Sequence, residues 1–209
     1  MKKPSTVQAL ETFGRVRLSK SFFMRDFLYS DIANIYGAAN VPDDPDLAII
    51  VGKRLCEELL EPLNATFGRV AVRSAYRSSD VNALGNANGH NCASNEKNYA
   101  GHIWDRRDAE GAAGAMACVV IPWFADRYEK GADWRGMAYW VHDHLPYSEL
   151  QFFPKLAAFN IGWHERPKRK IYSYIEPRGY LDVNAIALRD RQPVYSEFPK
   201  IVQLIAERI

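Results

Sequence analysis

The sequence has few cysteines, no long apolar run and almost no net charge, and each shortage argues against a class of protein. Cys56, Cys92 and Cys118 are odd in number and lack CxxC spacing, so neither a disulfide framework nor a zinc ribbon is indicated. No apolar window approaches the length that crosses a bilayer, and residues 7–11 are too polar for the apolar region of a signal peptide. We therefore expect a protein that is cytoplasmic or released without an N-terminal signal peptide.

Length and charge set the remaining bounds. With 209 residues, of which 47% are hydrophobic, the chain can bury a sizeable core, and we expect one α+β domain over residues 1–209. The formal net charge of +2 gives no general attraction to nucleic acid or to a membrane, so neither is expected as a partner. Cys56 and Cys118 lie in apolar stretches typical of core thiols, whereas Cys92 lies in a polar stretch and is the candidate for a reactive thiol.

Hydrophobic periodicity predicts the order of the elements. Helices are predicted over residues 24–36, 47–63, 112–128, 134–144 and 198–209, and strands over residues 69–74, 101–105, 150–153 and 171–174. Asp46 is the expected cap of the second helix, Pro62 is expected to limit it, and Pro122 interrupts the third. Residues 80–100 are rich in Asn, Gly and Ser and are predicted to form a long loop, which in a compact domain is often a binding site.

The most informative stretch is Ser74-Ala75-Tyr76-Arg77-Ser78, which follows the first predicted strand. An arginine at the end of a strand can hold a carboxylate through two hydrogen bonds. A simpler alternative is a surface arginine that pairs with Asp80. The local pattern alone leaves both interpretations open.

Five segments in order resemble the peptidase M15 family, the D-alanyl-D-alanine carboxypeptidases and their Hedgehog-type relatives. They span residues 18–174 and comprise Leu18-Ser19-Lys20-Ser21-Phe22, Glu61-Pro62-Leu63, the Arg77 segment with Asn82, Gly101-His102-Ile103-Trp104-Asp105 and Phe159-Asn160-Ile161-Gly162-Trp163-His164-Glu165. The resemblance implies an α+β fold in which helices pack on a small antiparallel sheet. It also implies a zinc peptidase that cuts D-alanyl bonds in the stem peptides of peptidoglycan.

The metal ligands implied by the resemblance are two histidines and an aspartate around an open fourth position. Asp105 and His164 match two of these positions, but the first histidine position falls on Asn98. His102 could replace it, His90 could reach in from the long loop, or the metal could be lost. On a regular strand residues 102 and 105 would face opposite sides, which argues against His102 unless a bulge intervenes.

The remaining roles implied by the family are less well matched. Arg77 would orient a substrate carboxylate or the developing oxyanion, and Glu149 or Glu165 would act as general base, because the family's base position falls on Phe153. Two functions therefore remain open: a metal-dependent peptidase, and a metal-free binding or structural module of the same fold, such as a phage-associated protein.

Overall fold

The computed structural model describes residues 1–202, and these form a six-stranded sheet with helices packed against it. The helices are α1 (Val7–Gly14), α2 (Asp31–Tyr36), α3 (Pro45–Leu55), α4 (Glu61–Phe67), α5 (Ser79–Ala87), α6 (Asn95–Asn98), α7 (Pro122–Tyr128), α8 (Trp134–His144) and α9 (Leu188–Arg191). The strands are β1 (Ala71–Ser74), β2 (Gly114–Val120), β3 (Glu149–Phe152), β4 (Phe159–His164), β5 (Lys170–Ser173) and β6 (Gly179–Tyr180). Short 3-10 turns occupy Met24–Phe27, Lys155–Ala157, Val183–Ala185 and Gln192–Tyr195.

The sheet has the order β1-β2-β4-β3-β5-β6, and every neighbouring pair is antiparallel except β3 and β5. This mixed architecture with a mostly antiparallel sheet confirms the predicted α+β class. In the described part of the chain no helix is long and apolar enough to cross a membrane.

The two faces of the sheet differ in chemistry because side chains alternate along each strand. One face enters the main core and carries Ala115, Ala117, Val119, Leu150, Phe152, Phe159 and Ile161. Helix α3 packs against this face, over β2 and β4. The opposite face carries Met116, Gln151, Asn160, Gly162 and His164, which line a pocket. The amphipathic sheet therefore presents one polar surface on which a site can be built.

Strand β2 corrects the prediction of a helix over residues 112–128. Six of its seven residues are buried, so the strand lacks the polar alternation that would distinguish it from a helix by periodicity. Pro122 marks the true boundary, since it is at the start of α7, where a missing N–H costs nothing.

The helix predicted over residues 47–63 is longer than expected and begins differently. Asp44, not Asp46, caps α3 by accepting a hydrogen bond from the Leu47 amide, and Pro45 occupies the first turn. Pro62 does not end the helix, because a π-helical turn over Cys56–Leu60 joins α3 to α4. The wider turn accommodates a residue that lacks an N–H and whose ring would clash with the preceding turn.

Three further segments differ from the predictions. Residues 24–36 do not form one helix: a 3-10 turn is followed by Ser30, which caps α2, and the helix ends at Gly37 in the left-handed conformation. Residues 80–100 contain α5 and α6 rather than a continuous loop, since the Ser78 hydroxyl caps α5. Residues 101–105 form turns with an isolated bridge between Tyr99 and Ile103 and not the predicted strand. The expectation that residues 102 and 105 face opposite sides of a strand therefore does not apply.

The predicted helix at residues 134–144 and the strands near 150–153 and 171–174 are confirmed as α8, β3 and β5. The C-terminal helix predicted over residues 198–209 lies mostly outside the described residues, and residues 198–202 are not helical. The segment before it is attached to α8, because Arg191 and the Tyr195 hydroxyl both donate to the Asp143 carboxylate at 2.6 Å.

Candidate functional site

A polar pocket of about 580 Å³ lies between the exposed face of β3 and β4 and the segment of residues 91–102. Its charged and imidazole side chains are Arg77, Lys97, His102, Asp108, Glu149, His164 and Lys168. Four of the six predicted site residues thus line one pocket: Arg77, His102, Glu149 and His164. Asp105 and Glu165 are not part of its lining.

Arg77 follows β1 and is fixed in place through both its main chain and its side chain. Its backbone N–H donates to the His102 carbonyl oxygen at 2.8 Å, and its Nη1 donates to Cys92 Sγ at 2.7 Å and to Asn82 Oδ1 at 3.3 Å. Its Nε is buried and finds no partner among residues 1–202. Burial lowers the pKa of Arg77, because it penalises the charged guanidinium more than the contact with Cys92 favours it. An anion in the pocket would compensate for this burial.

Asn82 connects Arg77 to the segment that covers the pocket. It is fully buried in the first turn of α5, and its Nδ2 donates to the Ala93 carbonyl oxygen at 3.0 Å and to Asn95 Oδ1 at 2.8 Å. Its Oδ1 accepts from Asn98 Nδ2 at 2.9 Å. Asn98, at the family's histidine position, is therefore a hydrogen-bonding member of this network.

His102 is a neutral side chain of the pocket wall. Its Nδ1 lies 2.8 Å from the Ala75 carbonyl oxygen, which can only accept, so Nδ1 carries the proton. Burial, together with the nearby charge of Arg77, lowers the pKa of His102 to about 3. The imidazole therefore stays uncharged near neutral pH and its Nε2 is unprotonated.

His164, at the end of β4, pairs with Asp108 rather than with Asp105. Its Nε2 lies 3.1 Å from Asp108 Oδ2, and its Nδ1 lies 3.0 Å from the Arg166 amide nitrogen. Burial by itself would raise the pKa of Asp108, but the amides of Ala112 and Glu110 and the charge of His164 lower it overall. The pair holds an ionised carboxylate and an oriented imidazole at the edge of the pocket.

Asp105 faces the other way and binds the start of α3. Its Oδ2 accepts from the Asp43 amide at 2.7 Å and its Oδ1 from the Tyr76 hydroxyl at 3.2 Å, in a position where the residue is 3% exposed. Burial raises the pKa of Asp105 despite these donors. In this structure the residue connects the loop before α3 to the segment after β1.

The candidate bases and the alternative ligand are also separated. Glu149 lies in the pocket, with its carboxylate 3.6 Å from Lys168 Nζ. Glu165 lies outside it and accepts from Arg107 Nη1 at 3.1 Å and from a backbone amide. His90 contacts the Tyr36 hydroxyl at 2.8 Å and lines an adjoining pocket of about 440 Å³.

These positions do not fit the expected zinc set. Within residues 1–202 no group of three His, Cys, Asp or Glu side chains is placed to hold a metal ion. His102 and His164 share the pocket, but the Asp105 carboxylate is turned toward the start of α3 and the His164 Nε2 toward Asp108. A zinc site needs three protein ligands around one point, so this arrangement provides no such site.

Sequence reasoning missed Asp108, Lys168 and Gln151 as members of the pocket wall. Asp108 had only a local signal, a turn at Gly111 in which its Oδ1 accepts from two following amides. No sequence motif relates Asp108 to His164, which lies 56 positions further along the chain, so their pairing was not predictable.

The fold and pocket define a mixed α+β protein with a cation-containing polar site on one face of its sheet. Comparison of the chain with protein-family models, with curated proteins and with solved structures found no match.

Proposed function

We propose that this chain is a peptide-binding module, distantly related to the peptidase M15 fold, that holds a carboxylate of its ligand at Arg77. The ligand class suggested by the resemblance is a peptide such as a peptidoglycan stem peptide. Support for the fold relationship comes from the ordered motifs over residues 18–174 and from the position of Arg77 directly after an edge strand, beside the buried Asn82.

The observation that carries the binding function is the environment of Arg77. Its guanidinium donates to Asn82 and Cys92, and no carboxylate forms an ion pair with it among the described residues. A desolvated cation without a counter-ion favours binding of an anionic group.

The rest of the pocket agrees with an anionic ligand. Its wall contains three cations, Arg77, Lys97 and Lys168, against two carboxylates, Asp108 and Glu149, which leaves one positive charge in excess apart from the imidazoles. The amides of Gln151 and Asn160 can donate to or accept from a peptide backbone.

The test is calorimetric titration with N-acetyl-L-lysyl-D-alanyl-D-alanine. We expect saturable binding that Arg77→Ala weakens by roughly 10- to 100-fold, as for loss of a charge-assisted hydrogen bond of about 1.5–3 kcal/mol. Arg73→Ala is the matched control, because it removes the same charge from an exposed position on β1, four residues before Arg77, and should bind like the wild type. No binding by the folded wild type, or equal weakening in both variants, would refute the proposal.

Zinc-dependent hydrolysis, which the family resemblance implies, is the alternative to exclude, because two imidazoles, His102 and His164, line the pocket but no third ligand joins them among residues 1–202. It is tested by equilibrium dialysis against zinc followed by metal analysis. If the wild type binds stoichiometric zinc and cleaves the same peptide, and His102→Ala loses the zinc, then the protein is an enzyme and not a binding module. Absence of both would remove this candidate.

A further inference from the structure

A row of tyrosines lies beside the pocket on the outer strands of the sheet. The Tyr172 ring centroid is 4.9 Å from that of Tyr174 and 5.1 Å from that of Tyr180, and both pairs meet edge to face. Tyr174 also stacks on Phe153 at 5.3 Å with the rings 9° from parallel. These contacts hold the rings in a defined arrangement at the surface.

Tyr174 and Tyr180 are exposed, and Tyr172 between them is half-buried. Tyr180 is 77% exposed and Tyr174 is 46% exposed. Aromatic rings grouped at a surface are typical of binding sites, since they offer a large rigid contact area at a small loss of conformational entropy. A ligand of this surface has to match both the rings and their polar neighbours.

Polar side chains form the other wall of the same groove. The groove has a volume of about 280 Å³, and Glu149, Gln151 and Lys170 line it beside the tyrosines. Glu149, Gln151 and Tyr174 also line the main pocket. The tyrosine groove therefore adjoins the pocket, but Arg77 lines the pocket and not the groove.

This mixture of groups argues against two common partners. Single-stranded nucleic acid needs a positive groove beside the stacking rings, but here the charge of Lys170 is matched by that of Glu149. An apolar helix or strand from a protein would bury Glu149, Gln151 and Lys170 against carbon, which is costly for unpaired polar groups.

A pyranose sugar satisfies both walls. Its C–H face is apolar and packs on an aromatic ring, while its peripheral hydroxyls can donate to the Glu149 carboxylate and accept from Lys170 Nζ and the Gln151 amide. We propose that the groove formed by Tyr172, Tyr174 and Tyr180 binds a sugar unit of an oligosaccharide. This inference goes beyond the peptide-binding function and does not depend on a carboxylate at Arg77.

The test is calorimetric titration with two tetrasaccharides, tetra-N-acetylchitotetraose and cellotetraose. We expect saturable binding of at least one of them and a loss of about tenfold in Tyr180→Ala, which corresponds to about 1.4 kcal/mol for the removal of one stacked ring. Tyr180 is suited to removal because its side chain is largely solvent-exposed, so the variant should fold.

The matched control is Phe23→Ala, which removes a ring that is 39% exposed and lies outside the lining of both the groove and the pocket. It should bind sugar like the wild type. Absence of saturable binding of either sugar, or equal weakening in the control, would overturn the inference. Arg77→Ala should leave sugar binding unchanged, so failure of the peptide proposal and failure of this one give different results.

Discussion

Replacing Asp105 with alanine distinguishes its two possible roles, that of a zinc ligand implied by the family resemblance and that of a structural acceptor for the start of α3. In the structure its carboxylate accepts hydrogen bonds from the Asp43 amide at 2.7 Å and from the Tyr76 hydroxyl at 3.2 Å. A third contact, with the Asp44 amide at 3.5 Å, is at the limit of a hydrogen bond and contributes little to the stability of the fold.

The expected cost follows from the two donors that lose their acceptor. Each unsatisfied buried group costs about 1–3 kcal/mol. Part of this cost is offset, because the variant no longer buries a carboxylate. Burial of that carboxylate is unfavourable in the wild type, and it raises the pKa of Asp105. We therefore expect Asp105→Ala to lower the free energy of unfolding by about 2–4 kcal/mol.

The measurement is urea unfolding followed by circular dichroism in the presence of a chelator, so that bound metal makes no contribution. Asp126→Ala, at an exposed position of α7, is the control and should change stability by less than about 0.5 kcal/mol. If Asp105→Ala unfolds like the wild type under chelation and is destabilised only relative to a zinc-loaded protein, then the structural role is wrong and the ligand role is supported.

Two further predictions concern the pocket wall. A β-carbon on Gly114 would collide with the Ala100 carbonyl oxygen and lie 2.8 Å from His164 Cδ2. Gly114→Ala should therefore lower the free energy of unfolding by at least about 2 kcal/mol in the same urea assay. A variant as stable as the wild type would contradict this packing. Because burial lowers the pKa of His102 from 6.5 to about 3, the unfolded chain binds a proton there that the native state does not, and native stability is lost as the pH falls below 6.5. Between pH 7 and pH 5 the wild type should lose roughly 2 kcal/mol more than His102→Gln, and parallel pH profiles of the two proteins would contradict a buried neutral imidazole.

Local sequence patterns were sufficient to predict a segment when its apolar residues recur at the spacing of a helix or a strand. Helix α8 has an apolar stripe and stops before Pro146, and β3 alternates between core and pocket, so both were predictable from periodicity. Strand β2 was not, since it is covered on both faces and its run of small and apolar residues carries no period. Helix α5 was not predicted, because the Asn, Gly and Ser content of residues 80–100 is typical of a loop and the capping residue Ser78 lies just before that stretch.

The sequence by itself indicated the α+β class, the order of the motifs and four polar residues that line the pocket, Arg77, His102, Glu149 and His164. Only the tertiary structure decided their partners. Asp105 contacts residues about 60 positions earlier at the start of α3, and His164 takes Asp108 instead, because each side chain is oriented by the element that carries it and by what that element packs against. The order of the functional groups can be read from the sequence, but whether these groups meet at one point depends on long-range packing.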